Sequence, residues 1–362
     1  MFAATELAPP DVSQTWESQK LEHDRPLLAA AFSPCGLYAL AGAQDEGVHR
    51  WHLESGEKTT LAAHQSWVHS LAFSPDKQHA FTSDLHGVVH CWKYADKSPR
   101  PVWSIVDAHD GWVVATAVSR DGKQLITAGN DGRVRLWSTA NGKHLSDLLG
   151  HGTEVYSLAL HPDGKTLVSG DLLGNVLVWN LADGKLLRKL DAKVLTTREE
   201  DFLADVGGVR SLAFNADGTR LAVGGMTDAT TNAFCAGKPA ILVFDWSSGK
   251  LKNTLRLQKK SDGPVKGVVY LEGDILAGVA ENLNSSSAME FWKPNEEASF
   301  HAVVRDSGYS LHLHPDQRHL LVAGITNNGR GGNGGVELKD YVSHNGSLIV
   351  YALHAKAEAA KS

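Results

Sequence analysis

The sequence predicts an all-β fold, a seven-bladed β-propeller of four-stranded antiparallel blades, closed by pairing of its N- and C-terminal strands. Three observations predict it. Trp51, Trp92, Trp137 and Trp179 recur at intervals of 41, 45 and 42 residues, the period of one four-stranded blade. Within each period the apolar runs are short and alternate, as Val134 and Leu136 do against Arg133, Arg135 and Trp137, which fits a strand and not a helix. The chain also begins with an unpaired strand-like piece, SQTWESQKL, and ends directly after a third strand, so the two ends complete each other.

Taken in order, units one to three carry Trp51, Trp92 and Trp137 on their third strands. Unit four, VYSLALHPDGKTLVSGDLLGNVLVWNLADGKLLRKL, reads as strands at 155–160, 166–170, 176–180 and 186–190 joined by turn residues. In unit five Phe244 lies five residues before Gly249, as Trp137 does before Gly142 and Trp179 before Gly184, so Phe takes the Trp place. Trp292 marks unit six, and Tyr351 in SLIVYAL marks unit seven, which starts at YSLHLHPDQRHLLVAG. The domain reading is a flexible tail over 1–12, one propeller over 13–354 and a second tail over 355–362. The outer closing strand is expected at 13–21, beside residues 347–353. Pairing there would cover edges that an open array leaves bare.

The segments GHGTEVYSLALHPDGKTLVSG and AGNDGRVRLWSTANGK resemble the WD-repeat family. Gly150 and His151 form its Gly-His dipeptide, and His23, His64 and His109 precede Leu27, Val68 and Val113 by the same four positions as His151 precedes Val155. The resemblance spans roughly residues 14–354. It implies a hydrogen-bonded tetrad inside each blade, complete in unit three as His109, Thr127, Asp131 and Trp137. Unit two keeps Thr82 and Trp92 but has His86 in the Asp place, and unit four keeps Ser169 and Trp179 with Leu173 there. The Asp that follows the family's Trp is replaced by His52, Lys93, Ser138 and Asn180.

Function is expected where units exceed the repeat. The excess falls at 191–208 before unit five, at 226–238 and 281–288 in the hairpins between second and third strands of units five and six, and at 325–346 in unit seven. In this fold such loops emerge on one face, the top, and long loops without structural need are commonly functional. Phe202, Phe234 and Tyr341 offer aromatic anchors; Arg198, Arg330, Asn232, Asn282 and Asn333 offer donors. Trp67, Trp112 and Tyr156, at the start of the innermost strands, resemble the rim positions through which WD-repeat proteins hold partners. Two plainer alternatives stay open: the loops cap the channel, and the aromatics pack between blades.

The 362 residues are 42% hydrophobic and 21% charged, ordinary for a folded chain and far from the composition of disorder. A net charge of −6 and the lack of a dense Lys/Arg run argue against nucleic-acid binding. Cys35, Cys91 and Cys235 suggest neither a disulfide framework nor a cysteine zinc site. The first twenty residues lack a signal-peptide pattern, and no apolar run reaches membrane-spanning length, so the expectation is a cytoplasmic protein with no membrane contact. Eighteen histidines raise a metal reading through His312 with His314 or His86 with His90, but no ligand spacing supports it, and no metal or cofactor is expected. NNGRGGNGG lacks the Lys-Ser or Lys-Thr of a phosphate loop. No catalytic residues can be selected. The leading expectation is therefore a non-catalytic platform, monomeric alone, for a protein or peptide partner. The alternatives are a metal-dependent lactonase-like propeller, with ligands such as Asp201, Glu281, Asn282 and His344, and a small-ligand sensor using the same face.

Overall fold

A computed structural model describes residues 10–200, 203–229, 236–258, 261–282, 287–305, 307–325 and 346–356. Among these residues the chain forms seven four-stranded antiparallel sheets and a separate two-stranded hairpin. Blade 1 runs through Leu27–Phe32, Tyr38–Ala43, Gly47–His52 and Lys58–Ala62, and blades 2 to 6 repeat this inner-to-outer order. Blade 4 takes Val155–Leu160, Thr166–Asp171, Asn175–Asn180 and Leu186–Asp191, each within one residue of the sequence-based limits.

Blade 7 differs because its fourth strand comes from the other end of the chain. Ser310–Leu313, His319–Ile325 and Gly346–Ala352 are completed by Trp16–His23, with Trp16 opposite Ala352 and Leu21 opposite Leu348. The closing strand thus lies two to three residues later than 13–21. Residues 12–14 form a turn of 3-10 helix, capped by the Asp11 carboxylate on the Ser13 amide at 3.0 Å, and that turn delays the strand. Nor do Asp11 and Val12 belong to a free tail: Asp11 N donates to Leu353 O at 2.7 Å, and Val12 is buried in the blade 7 core.

The blades are held by apolar layers between neighbours. The Trp-type positions Trp51, Trp92, Trp137, Trp179, Phe244, Trp292 and Tyr351 are all buried. Leu40 and Val48 of blade 1 pack on Val68 and Trp92 of blade 2, and Val176 of blade 4 packs on Val223 and Phe244 of blade 5. The seam has a layer of the same kind, in which Leu27 and Trp51 meet Leu321, Leu348 and Val350. Each sheet can bury its two faces only against the next, so a ring is the arrangement that leaves none bare.

The described residues of the insertion at 191–208 are themselves folded. A 3-10 turn, Lys193–Leu195, leads into strands Thr196–Glu199 and Ala204–Gly207. Leu195 is fully buried in the blade 5 core beside Val209 and Ala240. Gly207 (φ +99°) turns the chain back, and a Cβ there would lie 2.3 Å from Leu195 O, so the hairpin seats only with glycine.

Candidate functional site

The second residue of each innermost strand opens the central channel on the top face. In blades 1, 2, 3, 4 and 6 the ladder skips this residue, at Leu28, His69, Val114, Tyr156 and Lys266, so it forms a bulge. Arg210 and Tyr309 stand at the matching places of blades 5 and 7, their backbone amides donating to Gly224 O and Ala323 O. The Arg210 guanidinium lies 3.7 Å from the centre of the Tyr156 ring, and its Nε donates to Gly207 O at 2.6 Å. Lys266 pairs with Glu281 at 3.2 Å. Burial first, and then the positive charges of Lys266 and Arg210, push His69 down to about 4. Tyr156, Arg210 and Lys266 lie 54 and 56 positions apart in sequence, and only the ring gathers them.

Around this mouth runs an apolar rim. Trp67 and Trp112 remain 45% and 49% exposed although their carbonyls are fixed by the amides of Leu85 and Asn130. Leu173, Val194 and Leu203, in the loops of blades 4 and 5, are further exposed apolar side chains. Of the expected loop donors, Arg198 pairs with Asp205 across the hairpin at 3.2 Å, and Asn282 is half-buried with its amide on Ser307 Oγ at 3.0 Å. Thr197 Oγ1 accepts from Ala229 N at 3.1 Å, joining two of the insertions. Phe202, Asn232, Phe234, Arg330, Asn333 and Tyr341, like Asp201 and His344, lie outside the described residues.

Among the described residues, three blades carry a complete tetrad. In blade 3 Trp137 Nε1 donates to Thr127 Oγ1 (2.9 Å), the hydroxyl meets His109 Nε2 (2.8 Å), and His109 Nδ1 meets Asp131 (2.8 Å). A carboxylate only accepts, so Nδ1 carries the proton and Nε2 accepts from the hydroxyl. Blade 2 has the same chain through Trp92, Thr82, His64 and Asp84, with His64 to Asp84 at 2.8 Å. Blade 4 has it through Trp179, Ser169, His151 and Asp171, again at 2.8 Å. This corrects the expected gaps at His86 and Leu173. The acid lies two residues after the hydroxyl rather than four, on the same face of the same strand, and His86 and Leu173 are exposed. Burial alone would raise the carboxyls of Asp84, Asp131 and Asp171; hydrogen bonds from the histidines and nearby amides overcome it and leave all three below the ordinary range.

Blade 1 lacks the hydroxyl, having Ala41 opposite His49. Asp45 there accepts from His23 Nε2 (2.8 Å) and His49 Nε2 (3.0 Å), while Lys58 Nζ donates to His23 Nδ1 (2.7 Å) and Thr60 Oγ1 meets His49 Nδ1 (3.1 Å). The ligand atoms of His23, Asp45 and His49 lie within 4.8 Å of one another, as do those of His314, Asp316 and His319 on the bottom face. The pairs singled out in the sequence are not the ones assembled: His312 Nδ1 accepts from Phe32 N at 3.3 Å, and His90 meets Ser104 Oγ at 2.7 Å.

Residues 56–93, 100–138 and 142–180 match the model of the family described as WD domain, G-beta repeat. No curated protein matches the chain. The three matched stretches each close one residue after Trp92, Trp137 and Trp179, the Trp residues of the complete tetrads.

Proposed function

This chain is a WD-repeat β-propeller, and we propose that it is a non-catalytic platform holding a protein or peptide partner on its top face. Propellers of this family commonly serve as interaction scaffolds. The observation that carries the reading is the half-exposure of Trp67 and Trp112, with Leu173 and Leu203 exposed on the loops of the next two blades. Trp buries much area for few rotors and is enriched among the anchors of partner-holding surfaces. At the channel mouth the cations Arg210 and Lys266 supply the polar contacts. The net charge of −6 disfavours nucleic acid as the partner, and among the described residues no helix is long and apolar enough to cross a membrane. We place the chain in the cytoplasm, as a monomer until its partner binds.

A divalent metal at the channel mouth fits this surface less well. Glu281, one of its expected ligands, is already paired with Lys266, and a second cation, Arg210, stands on the adjoining blade. The test is affinity capture from the native host with the wild type beside a Trp67→Ala, Trp112→Ala double variant. The platform reading expects loss of a specific companion at an unchanged melting temperature. The same companions retained by both proteins, or a collapse of the melting temperature, would overturn it.

A further inference from the structure

We propose that the bottom of the seam between blades 7 and 1 binds one zinc-type divalent ion through His314, Asp316 and His319. The site is legible as a departure from a repeated turn. In blade 4 the turn LHPDGKTL places His161 Nδ1 3.1 Å from Asp163 Oδ2, and Thr166 Oγ1 donates to that oxygen at 2.9 Å. Blade 7 writes the same turn as LHPDQRHL, so an imidazole replaces the hydroxyl. His319 Nδ1 lies 2.8 Å from Asp316 Oδ2, and His314 Nδ1 lies 2.9 Å from Asp316 Oδ1.

The far side of His314 sets its chemistry. Its Nε2 is 3.1 Å from the Gly36 carbonyl and must donate to it, which leaves the Nδ1 lone pair of the neutral ring aimed toward the carboxylate. The Asp316 amide also donates to Nδ1, at 3.1 Å, so an ion bound there would displace that bond. His314 Nδ1 and Asp316 Oδ1, 2.9 Å apart, are close enough to share a proton or a metal ion. Two imidazole nitrogens and a carboxylate are the donor set that zinc takes at about 2.0–2.2 Å per bond, and small side-chain rotations bring them in. An outer hydrogen bond from a ligating histidine to a backbone carbonyl is the usual support of such a site.

A second observation points to a ligand here. His314 and His319 both line a cleft of about 480 Å³, together with His52 and Leu37, so the fourth position faces open space. The described lining holds no Lys or Arg to repel a cation. The blade 1 group differs in charge, because Lys58 Nζ stands 2.7 Å from His23 Nδ1.

The test uses the full chain stripped by chelator and titrated with Zn²⁺ by calorimetry, with Co²⁺ absorption as a second readout. The control is His319→Thr, which installs the residue that blade 4 carries at the same place and so preserves the turn. Wild type should bind one ion per chain, melt at a higher temperature when loaded, and give a tetrahedral Co²⁺ spectrum. Losing an outer partner weakens a metal site about 10–100-fold, so losing the ligand His319 should weaken it by about 100-fold or more. His23→Ala should leave the affinity unchanged. No stoichiometric binding by the wild type, equal binding by His319→Thr, or loss of binding in His23→Ala instead would overturn the proposal.

Discussion

His314 Nε2 donates to the carbonyl of Gly36 across 3.1 Å and so ties the last blade of the ring to the first. His161 makes the same bond from blade 4 to Gly218 of blade 5 at 3.0 Å. Both glycines sit at positive φ, +75° and +73°, where a Cβ would press on the histidine ring. The seam is therefore built with the contacts of an ordinary blade boundary, and what sets it apart is that its outer strand is borrowed from the other end of the chain.

That borrowed strand should be needed for stability. Removing residues 1–23 strips Trp16–His23 from Gly346–Ala352, exposes the edge of the latter and deletes the buried Val12 and Leu21. It also removes the bonds from Trp16 Nε1 to His354 O and from Ser18 Oγ to Val350 O. We expect a lower melting temperature and aggregation by light scattering; an unchanged melting curve would contradict closure by this strand.

The reassigned tetrad acids separate cleanly from the residues first given their place. Asp84→Ala strands the buried imidazole of His64 and the amides of His86 and Val88, and should cost about 1–3 kcal/mol. His86→Ala changes an exposed side chain and should stay within about 0.5 kcal/mol of wild type. Urea denaturation of the two variants decides it, and the reverse ranking would restore the sequence-based assignment.

The miss has a physical cause that also explains what was legible. The ring, its seven units and the closing pair follow from a period near forty residues, because each blade must repeat the strand that the next one covers. Asp84 and Asp171 escaped because the acid was sought four residues after Thr82 and Ser169, as Asp131 follows Thr127. A strand returns to the same face after two residues, so the nearer acid reaches the same histidine. Arg210 and Lys266 escaped for another reason. They occupy the place of Tyr156 in their own units, and comparing that one position across all units would have found them. The bottom-face pairing of His314 with His319 depends on the geometry of a turn, which a search for strand alternation does not register.

Acid should weaken the fold in two stages. Burial first, with the charge of His64 for His90 and of Lys266 for His69, holds both imidazoles near 4. A base whose pKa falls on folding binds fewer protons in the folded chain, so its contribution is intact above about pH 6.5 and is lost as pH drops toward 4. The tetrad carboxylates, held below their ordinary range, add a second loss below about pH 4. Denaturation midpoints should fall from pH 7 to pH 5, less so in His90→Gln. A midpoint flat over that interval would contradict the assignment.

The insertion before blade 5 should divide into a part that supports the fold and a part that meets a partner. Leu195 is fully buried among Val209, Ala240 and other blade 5 core residues, and Leu195→Ala should cost about 2–5 kcal/mol. Leu203, eight residues on, is 72% exposed at the tip of the same hairpin, where nothing in the blade needs it. Leu203→Ser should therefore leave the melting temperature within a degree or two while weakening capture of the top-face companion, since an apolar rim residue contributes only when a partner covers it. If Leu203→Ser instead melts early, the hairpin tip is part of the scaffold. Should it hold its companion as tightly as the wild type, the contact surface stops short of blade 5 and rests on Trp67, Trp112 and Leu173.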